Sequence, residues 1–369
     1  SIEEREFLRT KQFLNDNTKR ENGDKMICPK KKCTGCFGWY NICPQNAIKM
    51  VEDDYGYIYP VIDKNRCIKC NLCKNVCQYY NTDEFNIPKE GFAAISKDNN
   101  IYQTTTSGGI ATVISKKIIE NDGVVYGTGL ENGKINVIRI DKIEDLDKIK
   151  GSKYVHSYVG DSYRNIKEDL KCQKKVLFIG TPCQVNGLQL FLRKEYNNLF
   201  TIDLVCHGVP SQKFLYEEKM RKLKNNFNID YISFRGKNGF ELKIKDKTGM
   251  IIDKSYNNRY YYAFLKAITY RENCYTCKYA TEKRCGDITL GDFWGLKTKV
   301  SFEHKKGINC VLINTDKGNE MFDMIKEDIF YKNTSKEEII NGNDQLRNPS
   351  KKNEKRDVFL KLYKRHGYN

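Results

Sequence analysis

A chain of 369 residues is long for one hydrophobic core and comfortable for two or three. Its 15 cysteines would suggest disulfides in a secreted protein, but no charged-then-apolar leader opens the sequence and no apolar run reaches the roughly 18 residues of a membrane span; a cytoplasmic protein with reduced thiols and no membrane span is expected. The formal charge of +17 is dispersed, with only short runs such as Lys30-Lys31-Lys32 and no reader motif, which argues against nucleic-acid binding and for a surface that steers an acidic electron carrier.

Residues 1–24 are expected to form a polar helix and linker, with Phe7, Leu8, Phe13 and Leu14 as a thin apolar seam. Residues 25–85 are cysteine-dense and built as two similar halves. Between the halves, "AIKMVEDDYGYIYPVI" reads as strand, turn at Asp54-Tyr55-Gly56, strand. The second half carries Cys67, Cys70, Cys73 and Cys77 in the full C-x2-C-x2-C-x3-C spacing, which delivers three thiolates from one tight loop and a fourth to the other cluster of a pair. The first half, "CTGCFGWYNICP", has the same rhythm but carries Trp39 where the third ligand belongs.

By that crossed rule Cys43 joins Cys67, Cys70 and Cys73, while Cys33, Cys36 and Cys77 hold a second cluster one ligand short. Cys28, five residues upstream of Cys33, is the obvious substitute. A three-iron cluster, an iron site with a non-cysteine ligand, or loss of that cluster are the competing outcomes. Trp39 otherwise reads as an aromatic lid over a small core, and Gln78 replaces the usual proline after Cys77. The expectation is a small ferredoxin-like domain with two [4Fe-4S] clusters, weighed against structural zinc.

After the polar linker "NTDEFNIPKE", residues 91–369 change to strands alternating with helices. "GFAAIS", "GVVYGTG", "KKVLFIG" and "LFTIDLVC" read as strands, and "SGGIATVISKKIIEN" and "CQVNGLQLFLRKE" as helices. Such alternation predicts a mainly parallel, covered sheet with sites at strand ends, hence a mixed α/β domain. Farther on, "ELKIKDKTGMIIDKSY" reads as a hairpin, "NRYYYAFLKAITYRE" as a long helix, "GINCVLINT" as a buried strand and residues 351–366 as a basic terminal helix.

Cys183 and Cys206 fall at strand ends and can converge there, with Cys274-x2-Cys277 after the long helix. A third cluster is one reading; isolated cysteines are also commonly small buried hydrophobes. Cys172, Cys285 and Cys310 read as structural, with Cys285 near enough to the C-x2-C pair to compete. Ser107-Gly108-Gly109 before an apolar helix offers open amides and a capping hydroxyl to a pyrophosphate, or simply caps the helix. Lys153 can neutralise a phosphate and Tyr154 can pack on a ring, though each alone is more often a surface residue. His207 reads as loop packing, with proton transfer as the alternative, and "GDFWG", Gly291 to Gly295, as a tight turn with Trp294 as packing or as a wall.

Together, "SGG", "GSKYVHS", "GTPCQVNGL", "DLVCHGVPS", "FRGK", "YRENCYTCKYA" and "RCGDITLGDFWG" resemble the coenzyme F-420 hydrogenase/dehydrogenase beta-subunit family, preceded here by a ferredoxin-like domain. The resemblance implies a catalytic domain over 91–369 that binds FAD and a further [4Fe-4S] cluster. It implies Ser107, Gly108, Gly109, Lys153, Tyr154, Ser157 and Thr181 at the flavin, and Cys183, Cys206, Cys274 and Cys277 as cluster ligands. It further implies an iron-sulfur flavoprotein oxidoreductase without an essential side-chain nucleophile, in which flavin joins one-electron transfer from a ferredoxin or other carrier to a hydride-type small-molecule substrate. Two alternatives stand beside it: an electron-transfer subunit whose substrate site belongs to a partner redox subunit, and a zinc-dependent binding protein. A homo-oligomer is equally compatible, and the family name does not fix the hydride partner.

Overall fold

The computed structural model describes residues 28–81, 84–223, 228–236 and 239–368. The helix expected over residues 1–24 lies outside the described residues. Among them, no helix is long and apolar enough to cross a membrane.

The cysteine-dense segment holds the antiparallel strands β1 (Ile48–Glu52) and β2 (Ile58–Ile62), joined through the turn expected at Asp54–Gly56. Two short helices, Gly38–Ile42 and Leu72–Asn75, follow its two cysteine loops and pack on each other. The halves are alike in backbone as well as in sequence. Gly35 and Phe37 in the first loop, and Lys69 and Asn71 in the second, all take positive φ at matching positions.

Beyond it come β3 (Glu90–Ser96), β4 (Val124–Glu131), β5 (Lys134–Ile140), β6 (Val176–Gly180) and β7 (Leu199–Leu204). They are followed by β8 (Tyr231–Gly236), β9 (Gly239–Asp246), β10 (Gly249–Lys254), β11 (Ile288–Asp292), β12 (Asn309–Ile313) and β13 (Ile329–Thr334). The main sheet runs β13-β3-β12-β11-β7-β6-β4-β5. Its centre, β4-β6-β7-β11, is parallel, but β5 pairs antiparallel at one edge and β12, β3 and β13 do so at the other. The fold is therefore mixed α/β, and the mainly parallel sheet expected from sequence is corrected to a parallel centre with antiparallel flanks. The cause at β5 is local. Asn132 (φ 50) and Gly133 (φ 71) make a two-residue turn of the primed kind that folds β5 straight back on β4.

Both faces of the parallel centre are covered. Side chains alternate along each strand, so Val125 and Leu177 meet the helix Ile110–Glu120 while Val124, Tyr126, Val176 and Phe178 meet the helix Pro182–Leu192. The second helix also packs on Gly38–Ile42 of the cysteine-dense unit. The expected hairpin exists as β9-β10 and is extended by β8 into a separate antiparallel sheet. Its core is continuous with the small unit: Trp39, Tyr57, Tyr59 and Val76 share one apolar cluster with Phe214, Phe234, Ile244 and Tyr260.

The long helix expected over 258–272 is only Arg259–Leu265. The Asn258 side chain caps it on Tyr261 N at 3.0 Å, and Ala267 in a left-handed conformation (φ 51) stops it. The chain then crosses to a short 3-10 turn, Glu272–Thr276. Residue 109, not Ser107, is the N-cap of Ile110–Glu120, and no side chain caps that helix, which corrects the capping role expected of the Ser107 hydroxyl. The terminal basic helix spans Lys355–His366.

Candidate functional site

The first cysteine loop winds tightly because Gly35 (φ +67) and Phe37 (φ 64) turn it back on itself. Amides inside the loop then face sulfur: Gly35 N–H points to Cys33 and Gly38 N–H to Cys36. Cys28, Cys33, Cys36 and Cys77 line one cavity with Trp39 and Gln78. Hydrogen bonding shared among the Cys28, Cys33 and Cys77 sulfurs keeps the proton on Cys28, raising it far above the thiol range, and lowers Cys33 to about 6 and Cys77 to about 7. The upstream cysteine singled out from sequence is thus brought to the place where a ligand was short. Trp39 is more than a lid: its indole donates a hydrogen bond to Cys77.

In the second loop, Cys67, Cys70 and Cys73 come together. Burial, and then the nearby Cys67 and Cys70, push the Cys73 thiol up. Cys70 is exposed. Cys43 ends the helix that packs on the Cys73 helix and accepts a hydrogen bond from Ala47 N at 3.3 Å.

The third set is assembled from three elements. Cys183 opens the helix Pro182–Leu192, where Thr181 and Gln184 form a capping box and Thr181 Oγ1 lies 3.2 Å from Cys183 Sγ. Cys206 follows β7, and Cys274 and Cys277 come from the 3-10 turn after Arg271. Each of these thiols acts electrostatically on others of the set. Burial, foremost, raises them all, Cys206 to about 12. Cys285 stands aside, directing its thiol to the Pro182 carbonyl (3.3 Å) and Asp203 Oδ2 (3.4 Å).

Two of the sets adjoin. Cys36 is among the groups that act on Cys183, and Gln78 accepts from Thr34 Oγ1 at 3.0 Å while donating to the Cys183 carbonyl. Gln78 therefore ties the loops of both sets, a role its sequence position did not announce. Among the described residues, no three His, Cys, Asp or Glu side chains are arrayed around a single metal-ion position; the Cys28, Cys33 and Cys77 sulfurs are instead drawn against one another. A cubane, with its inorganic core between the thiolates, asks for a wider spacing than one ion, and thiols faced by backbone N–H groups, as Cys33 and Cys36 are, suit it.

A cavity of ≈ 420 Å³ opens at the C-terminal ends of the parallel strands, the usual place for a ligand in such sheets. Ser107, Gly109, Lys153, Tyr154, Ser157 and Thr181 line it, and so does Cys206 of the third thiol set. Gly108 does not. Its backbone is pressed on β3, where a Cβ would stand 2.3 Å from Ala94 O. Lys153 Nζ has the Lys150 carbonyl at 2.6 Å, and burial lowers it to about 7 with no charged neighbour contributing. Ser157 Oγ is held by Thr128 (3.1 Å) and Gln184 (3.1 Å).

One face of Tyr154 is taken, since its ring stacks on Phe264 with centroids 4.8 Å apart. Sequence reasoning missed Arg235 in "FRGK", whose guanidinium lies 3.9 Å over Phe240, bonds Tyr154 Oη at 3.0 Å and pairs with Asp292 at 2.5 Å on the same wall. The arginine inside a glycine-flanked motif was the available signal. His207 and Trp294 also line the cavity, Trp294 at the turn expected in "GDFWG".

Residues 173–338 match the C-terminal part of the beta subunit of coenzyme F420 hydrogenase/dehydrogenase. A subunit of the F420H2 dehydrogenase of Methanosarcina mazei is 23% identical over 318 residues, 80% of this chain and 83% of the relative. The segment 173–338 thus carries the C-terminal part of the coenzyme F420 hydrogenase/dehydrogenase beta-subunit family. A second similar protein is the coenzyme F420-dependent sulfite reductase of Methanocaldococcus jannaschii, 26% identical over 216 residues, 54% of this chain. The match spans only 33% of that reductase. An uncharacterized ferredoxin of the same organism is 30% identical over 53 residues, 14% of this chain and 68% of the ferredoxin. These likenesses support a redox role and a ferredoxin-like iron-sulfur part.

Proposed function

We propose that this chain is an iron-sulfur flavoprotein oxidoreductase that works in the cytoplasm. It passes electrons between a one-electron carrier of the ferredoxin kind and a small organic hydride carrier. The observation that carries this reading is an order in space. The Cys67, Cys70 and Cys73 loop lies toward solvent, the Cys28, Cys33, Cys36 and Cys77 set adjoins Cys183, and Cys206 of the third set opens on the large cavity.

In this reading residues 25–85 hold two [4Fe-4S] clusters, one on Cys43, Cys67, Cys70 and Cys73 and one on Cys28, Cys33, Cys36 and Cys77. Residues 91–369 hold a third on Cys183, Cys206, Cys274 and Cys277, and FAD in the cavity. Clusters exchange electrons singly and a flavin exchanges them singly or as hydride. The residues of the chain bind, orient and shield. Lys153, buried without an anionic partner, and the backbone of Ser107 and Gly109 on the cavity wall suit the flavin phosphates. Thr181 and Gln184 fix the helix that carries Cys183, and no side-chain nucleophile is required.

The test is anaerobic purification with iron, sulfide and flavin quantified. About twelve irons, about twelve sulfides and one FAD per chain are expected from three cubanes and a flavin. A colourless preparation, as a zinc protein would give, overturns the reading. The relative that works as part of a dehydrogenase complex favours a second reading, in which the hydride site lies on a partner protein. Oxidation of NADH, NADPH or a reduced deazaflavin by the isolated chain supports the first reading; activity only with a co-purified partner supports the second.

A further inference from the structure

Arg271 is 1% exposed, and its guanidinium is only partly engaged. Nε donates to the Cys33 carbonyl at 2.8 Å and the group lies 4.2 Å over the Tyr59 ring. Nη1 and Nη2, both buried, have no hydrogen-bond partner. The carboxylate that acts on it is Asp53, more weakly than Cys33, Tyr59 and Cys274 do, and Asp53 is itself paired with Lys30 at 3.2 Å.

A buried cation without an anion is strongly destabilising, and other buried cations of this chain obey that rule. Arg284 has Asp203 at 2.8 Å, and Arg356 has Glu272 at 3.3 Å. Arg271 breaks the rule at a particular place. The Cys33–Cys36 loop closes over it, so that a Cβ on Gly35 would stand 3.1 Å from Cζ and 3.2 Å from Nη1. Its chain neighbour by three positions, Cys274, belongs to the third thiol set. His156, which meets the same face of Gly35, is held neutral by burial and then by the Arg271 charge, which lower it to about 3. Arg271 is thus the fixed positive charge between two thiol sets.

We propose that Arg271 is a positioning residue that serves as the internal counter-cation of two neighbouring iron-sulfur clusters, those of the Cys28/Cys33/Cys36/Cys77 and the Cys183/Cys206/Cys274/Cys277 sets, and makes both easier to reduce. The inference rests on the reading that these sets hold clusters. A cluster on four thiolates carries net negative charge that grows on reduction, and a cation fixed in a medium of low polarity stabilises the more negative state most. No carboxylate pairs with Arg271; the acidic group it faces most is the Cys33 thiol, which it helps to lower, and clusters on both sets would add their negative charge there. The Cys67, Cys70 and Cys73 thiols are not among the main groups that act on Arg271, so their cluster serves as an internal control.

The experiment uses the full chain, purified anaerobically, as wild type, Arg271→Gln and Arg271→Lys. Iron and sulfide are counted, and a reductive titration is followed by electron paramagnetic resonance. Absence of clusters in the wild type defeats the reading on which the inference rests, and is seen before any variant is made. With clusters present, Arg271→Gln is expected to shift two of the three reductive waves to lower potential and leave the third in place, while Arg271→Lys restores them most of the way. Three unmoved waves, or three that move together, overturn the proposal. If Arg271→Gln fails to assemble clusters, Arg271→Lys decides: full iron content with near wild-type potentials supports the proposal, and loss of iron there too shows a structural role and overturns it.

Discussion

Trp39 stands where an iron-sulfur motif would place a cysteine, and it donates its indole N–H to the sulfur of Cys77. The residue that breaks the motif therefore bonds a thiol of the set that its position leaves one ligand short. Trp39→Phe keeps an aromatic ring of similar bulk and removes only the donor. Because an N–H···S bond favours the more negative, reduced state, the variant is expected to keep its iron while that cluster's potential falls by on the order of tens of millivolts, a fraction of the about 1.5–3 kcal/mol a hydrogen bond to a charged group is worth. Potentiometric titration of the two proteins checks this.

Cys28 lines one cavity with Cys33, Cys36 and Cys77 and acts on the Cys33 and Cys77 sulfurs, which brings it to the set where Trp39 supplies no thiol. Cys28→Ser is expected to lose about one iron per chain and to change the paramagnetic spectrum of that cluster alone. Iron content and spectra identical to wild type would remove Cys28 from the ligand set.

Lys153 offers a pH test whose sign follows from its burial. Its folded-state value, about 7, lies below the unfolded value, so the ligand-free chain gains stability as pH rises from about 7 toward 10. Phosphate groups need the charged amine, so FAD affinity should weaken by up to about tenfold per unit above pH 7 until the value in the complex is reached. Lys153→Met should bind FAD more weakly at neutral pH and with a flat profile. Flavin titrations from about pH 6 to about pH 9 read both.

Asp203, at the end of β7, is fully buried and accepts from Arg284, Thr289 and the backbone N–H groups of Cys285 and Gly286. It pins the loop before β11 to the strand that leads to Cys206. Asp203→Asn leaves the Arg284 charge unpaired inside the protein and is expected to cost about 3–5 kcal/mol, the usual toll for breaking a buried pair. Denaturant unfolding of the two proteins measures it.

What the sequence made legible is what short-range chemistry dictates. The two cysteine loops, and the return of Cys77 to the first of them, were readable because cysteine spacing is local, and the lining of the large cavity by Ser107, Gly109, Lys153, Tyr154, Ser157 and Thr181 followed from family motifs. The antiparallel flanks of the sheet were not read, although Asn132-Gly133 carries a hairpin signal. Arg271 and Gln78 could not be read at all. Their partners lie far away in sequence, Cys33 for the one and Cys183 for the other, and only packing brings them together.

Gly187 faces the first cysteine loop so closely that a Cβ there would stand 3.0 Å from the Cβ of Cys36 and 2.9 Å from Tyr163 Oη. Arg164 ties the same unit down through the carbonyls of Asn41 (2.8 Å) and Tyr40 (2.7 Å). A foreign ferredoxin grafted onto residues 91–369 would bring its own contour and find no matching hollow, and a detached N-terminal fragment would lose the wall behind its inner cysteines. The two units are shaped to each other, so recombination that shuffles them should disturb the seam even when every cysteine survives.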